Sequence, residues 1–76
     1  YFNRGYAYGN LGEHQRAIQD YDKAIQIHPT YAGAYNNRSA TYRTLAIVGY
    51  AVYRDGRNAK ADADKAKACS LDSQYC

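Results

Sequence analysis

The chain of 76 residues repeats itself: Tyr1-x2-Arg4-Gly5-x2-Tyr8 returns 34 residues later as Tyr35-x2-Arg38-Ser39-x2-Tyr42, with an asparagine before each arginine. A period of this length is the mark of a stacked helical array. No unit of such an array buries its apolar face alone, so the chain is built to lie against units like itself and to present a curved surface to something else. Binding is therefore the expected role, ahead of chemistry.

The first helix is expected from the amino terminus to about Leu11, because Tyr1, Arg4, Gly5, Tyr8 and Leu11 recur at three-to-four-residue spacing and form one packing stripe. Gly5 admits a close neighbour, and Gly12 is a left-handed terminator. A second helix from His14 to Ile27 carries Ala17, Ile18, Tyr21, Ala24 and Ile25 on one side, and Gln15, Arg16, Gln19, Asp22, Lys23 and Gln26 on the other. Pro29 stops it and pushes His28 out of helical geometry. The short connection makes the two helices antiparallel neighbours.

Tyr1-x2-Arg4-Gly5-x2-Tyr8, then Leu11-Gly12, Ala17-x3-Tyr21-x2-Ala24 and Pro29 together resemble one tetratricopeptide repeat. The fold expected is all-α, two stacked antiparallel hairpins in a single domain, with a regular repeat over 1–31 and a variant repeat over 32–76.

The second repeat starts in register, with Thr30 and Tyr31 as the turn, and then slips. Gly12 pairs with Gly56, Ala17 with Ala61, Ala24 with Ala68 and Ile27 with Leu71, all at an offset of 44, so ten residues have been inserted near Leu45. Two accounts compete: an elongated third helix over 34–54, or a helix interrupted before Gly49. The elongated helix is favoured, since Tyr35, Ser39, Tyr42, Ala46, Gly49 and Tyr53 keep a continuous stripe without proline. A last helix, capped by Asn58 and running to about Leu71, is expected to be weak: Lys65 stands where the first repeat has Tyr21, and alanine buries little area.

In the family this chain resembles, the first helix of each repeat lines a concave groove that holds peptides. The resemblance implies a groove face of Phe2, Asn3, Tyr6, Gly9 and Asn10, with Gly33, Asn36, Asn37, Ala40, Arg43 and Thr44 from the second repeat. Partner contact is assigned to Asn3, Tyr6, Asn10, Asn36, Asn37 and Arg43, because carboxamides offer both a donor and an acceptor to a peptide backbone. The alternative is that Asn3 and Asn37 serve only water or their own helices. Some members grip a terminal carboxylate with a clamp of lysine, asparagine and arginine; its asparagine would be Asn3 or Asn37 here, but with Asn3 in that role Gly33 and Asn37 fill the places of the cations, and with Asn37 no later full repeat supplies them, which disfavours such a ligand.

A second candidate surface is self-association through Leu45, Ile47, Val48 and Val52, whose apolar area exceeds what one face needs. The competing account is that this segment covers the end of the array. Basic residues are interleaved with acids at a net charge of +3, so RNA binding is disfavoured. Asp20, Asp22, Asp62 and Asp64 are read as solvated-face charges. No phosphate loop, nucleophile elbow, metal spacing or cofactor motif is present, and His28 suits a helix carboxyl end; no enzyme is expected. The longest apolar run, Leu45 to Tyr53, is too short to span a bilayer. Cys69 and Cys76, seven residues apart, would lie about 10 Å apart along a helix, out of disulfide reach unless the tail after Leu71 folds back. Two thiols in a reducing, cytoplasmic setting are the simpler expectation. The start at Tyr1 instead of methionine is read as the mark of a fragment.

Overall fold

Gly12 ends the first helix through its backbone, with φ at +82°, a conformation open to glycine at no steric cost. Its N–H donates to the Gly9 carbonyl at 3.1 Å and the next N–H, that of Glu13, reaches back to Tyr8 at 2.9 Å. This pair of bonds satisfies carbonyls that a helix end leaves without partners. The computed structural model describes residues 1–47 and 59–76. Among them run α1 (Phe2–Asn10), α2 (His14–Ile27), α3 (Ala32–Ile47), α4 (Ala59–Leu71) and a 3₁₀ turn (Ser73–Tyr75), with no strand among the described residues.

The helices pack in sequence, α1 on α2, α2 on α3 and α3 on α4, as two stacked antiparallel hairpins. α2 supplies Ala17, Ile18, Tyr21 and Ala24 to the core, α3 supplies Ala34 and Leu45, and α4 supplies Ala61 and Ala68. The small-large-small stripe of α2 is thus buried as its spacing requires. α2 stops at His28, whose φ of −129° and ψ of 83° leave the helical region one residue before Pro29.

Several expectations are corrected. Leu45 is only 1% exposed, so this core residue is unavailable for self-association, whereas Ile47 stands open. Val48, Val52 and the rest of the expected helix over 34–54, like the Asn58 cap, lie outside the described residues. The α1 stripe is not a packing seam along its length: Gly5 is buried, but Tyr1 is 54% and Leu11 74% exposed. Asp20 and Asp64 are buried.

The tail also differs from the expectation of two thiols. Asp72 is extended and its carboxylate accepts the Gln74 N–H at 3.1 Å, which starts the 3₁₀ turn directly after α4. The turn brings Cys76 back beside Cys69 with their Cα atoms 4.7 Å apart, and the two are joined in a disulfide. The case for a reducing compartment from free thiols therefore falls.

Candidate functional site

Each hairpin is closed by the same ion pair. Arg4 on α1 donates through Nε and Nη2 to the two carboxylate oxygens of Asp20 on α2, both at 2.8 Å. Arg38 on α3 does the same to Asp64 on α4, both at 2.7 Å. The two arginines follow the 34-residue period and the two aspartates the 44-residue offset, so the pair survives the insertion. Such bidentate, charge-assisted bonds are stronger and more directional than neutral ones. The Arg4 hydrogen bonds hold the Asp20 carboxyl below the usual carboxylate range, and the hydrogen bonds from Arg38 to Asp64 and Asp22 raise the Arg38 guanidinium pKa further.

Between α1, α2 and α3 lies a groove of about 190 Å³ lined by Tyr6, Gly9, Asn10, His14, Tyr21, Asn37, Ala40, Thr41 and Thr44. Gly9 leaves open space where a side chain would stand, so a ligand backbone has room to approach α1. Burial raises the Tyr21 hydroxyl pKa, opposed by a hydrogen bond from the Asn37 amide. Thr41 and Thr44 donate their hydroxyl protons to the carbonyls of Asn37 and Ala40, at 2.9 and 3.0 Å, and both line the groove. Among the described residues, His14 is the one nitrogen base that lines it, and no Lys, Arg, Asp or Glu does.

The structure brings together three of the six residues assigned to partner contact: Tyr6, Asn10 and Asn37. Asn3 is exposed on α1 but does not line the groove. Asn36 turns toward α4, where its Oδ1 accepts the Lys65 ammonium at 2.9 Å. Arg43 also turns to α4, donating to Asp62 at 2.9 Å. Both side chains tie α3 to α4 and are not among the residues that line this groove. Phe2 lies instead against the rings of Tyr21 and Tyr31, with centroids 5.9 and 4.8 Å away. The unanticipated lining residues are His14, Tyr21 and Thr41. The sign that was available for His14 is the tight turn at Gly12, which returns the start of α2 to the end of α1.

Two profiles described as tetratricopeptide repeat match the chain, one over residues 1–31 and one over residues 20–74. The chain belongs to the tetratricopeptide repeat family. Repeats of this family are protein-interaction modules. An uncharacterized protein of Methanocaldococcus jannaschii is 33% identical over 45 residues, which is 59% of this chain and 52% of that protein. The chain thus spans about half the length of the curated relative it matches. No solved structure matches it. Among the described residues, no helix of this tetratricopeptide repeat chain is long and apolar enough to cross a membrane.

Proposed function

We propose that this chain is a protein-binding module whose groove between α1, α2 and α3 receives an extended, uncharged peptide segment of a partner. The observation that carries this is the lining itself: an aromatic ring at Tyr6, carboxamides at Asn10 and Asn37, small residues at Gly9 and Ala40 and, among the described residues, no Lys, Arg, Asp or Glu. Amides pair with a peptide backbone in both directions, and a tyrosine supplies apolar area with a hydroxyl at its tip. Without lysine or arginine on the wall, an acidic tail gains nothing over a neutral segment.

The test is selection of peptides from a random linear library on the immobilised chain, followed by titration of the selected sequences against variants. Ala40→Arg on the groove wall, at an exposed position, is expected to weaken binding at least tenfold, and Tyr6→Ser several-fold, with helical content unchanged by circular dichroism. Peptides that bind both variants as well as the native chain, or a library that yields no binders, would overturn the proposal.

A further inference from the structure

The turn that follows α2 is written a second time after α4. The His28 N–H donates to the Ala24 carbonyl at 2.8 Å and the Tyr31 N–H to the His28 carbonyl at 3.0 Å. At the 44-residue offset, the Asp72 N–H donates to Ala68 at 2.9 Å and the Tyr75 N–H to Asp72 at 3.1 Å. Tyr75 therefore repeats Tyr31 in place as well as in sequence. The restraint on the turn is what differs. Ser73 stands for Pro29, while Cys69 and Cys76 stand for Ile25 and Ala32 and are bonded to each other. Proline restrains a turn permanently, through its ring. A disulfide restrains it until a thiol opens the bond.

Both tyrosines approach Gly33. A Cβ there would stand 3.2 Å from the Tyr31 ring, 3.5 Å from the Tyr75 hydroxyl and 3.6 Å from the Phe2 ring. The Lys65 ammonium, which donates to Asn36 at 2.9 Å, lies 5.9 Å from the centroid of the Tyr75 ring. Phe2 is in turn 5.9 Å from the ring of Tyr21, and Tyr21 lines the peptide groove. The cluster around Gly33 thus adjoins the groove through Phe2, and Tyr75 is the member of it that the disulfide-bonded turn holds in place.

We infer that the Cys69–Cys76 disulfide is a redox latch on the peptide groove: closed, it keeps Tyr75 against Gly33, and opened, it frees Tyr75 and lengthens the groove over Gly33 between Phe2 and Tyr31. The inference rests on the groove as the peptide site. The reductant is a dithiol, and the exposed Cys76 is the cysteine it reaches, Cys69 being half-buried. One of its thiolates attacks the Cys76 sulfur, which breaks the S–S bond and expels the Cys69 thiolate. Its second thiolate then displaces Cys76 from the mixed disulfide. Two electrons and two protons pass to the cysteines, and the reductant leaves as its own disulfide. The surface uncovered is glycine and aromatic ring, which suits an apolar side chain of the ligand.

The test compares the oxidised chain with the chain reduced by dithiothreitol. The probes are a peptide selected on the oxidised form and versions of it lengthened by leucines at one end or the other. The selected peptide is expected to bind both forms equally, and one lengthened version to gain about tenfold on the reduced form. Tyr75→Ala with the bridge intact should show the same gain while oxidised. Absence of the gain in either arm overturns the latch. Helical content by circular dichroism should survive reduction; its loss overturns the latch too, because the bridge would then hold the hairpin instead of the tail. A readout without peptide separates this inference from the one it rests on. The amide resonances of Gly33 and Tyr75 should move on reduction while that of Ala24 stays, and unmoved signals overturn the latch even where peptides bind. A library that yields no binder overturns the groove reading, and the resonances then decide the latch alone.

Discussion

The two hairpins reach one geometry by different chemistry. In the first, Gly5 leaves room for the Tyr21 ring: a Cβ at Gly5 would stand 2.9 Å from the ring edge and 3.2 Å from the Ala17 carbonyl oxygen. Phe2 then stacks on Tyr21 and Tyr31, and the hairpin is held by aromatic area around one ion pair. In the second, Lys65 replaces that tyrosine and Ser39 replaces the glycine. The Ser39 hydroxyl donates to the Ala61 carbonyl at 2.7 Å, while Asn36–Lys65 and Arg43–Asp62 add polar ties. The Arg–Asp pair is common to both hairpins, and the space around it accepts either a ring or a set of hydrogen bonds. A helix that looks poor in apolar residues is therefore not a loose one.

The comparison breaks most sharply at the aspartates. Asp64→Ala should cost about 2–3 kcal/mol in urea denaturation, because it removes two charge-assisted hydrogen bonds and leaves the half-buried Arg38 cation only the exposed Asp22 as a partner. Asp20→Ala should cost less, because water replaces the carboxylate at the exposed Arg4. Equal losses would show that burial of the cation does not separate the hairpins. Gly5→Ala follows, at about 1–3 kcal/mol, since the buried ring has to shift. In a Tyr21→Lys background its cost should fall by at least about 0.5 kcal/mol; an unchanged cost in that double-mutant cycle would mean the glycine answers to the backbone instead of the ring. Ser39→Ala should lose about 1 kcal/mol, the worth of one hydrogen bond. The smallest effect has the opposite sign: Gly9→Ala should stabilise by about 0.4 kcal/mol by reducing the freedom of the unfolded chain at a last-turn position of α1 where a methyl meets nothing, with a higher melting midpoint as the readout.

How much of this was legible in the sequence differs by element. The periodicity of Ala17, Ile18, Tyr21 and Ala24, the Gly12 stop and the Pro29 break each follow from local rules, and the corresponding bounds of α2 come out unshifted. Asp20 and Asp64 were harder. Each sits beside an exposed residue on a polar-looking helix, and only pairing across the hairpin makes its burial affordable. The shared offset of 44 was on the page as a clue, since it relates these two acids just as it relates Ala17 to Ala61. In the groove, Asn36 and Arg43 share a helix with Asn37 and carry equally polar side chains. Nothing local says that two of them turn toward α4. Cys69 and Cys76 are a similar case, since spacing along a helix excludes a bond that the turn at Asp72 makes possible.

The sequence by itself determined the repeat, the family, the all-α class and where the first hairpin turns, because helix periodicity and glycine and proline stereochemistry act over a few residues. Only the tertiary structure decided which polar residues are structural and which face a ligand, and how the tail closes. Those outcomes depend on what stands opposite a side chain, and hydrogen bonds and ion pairs change from cost to gain on that alone.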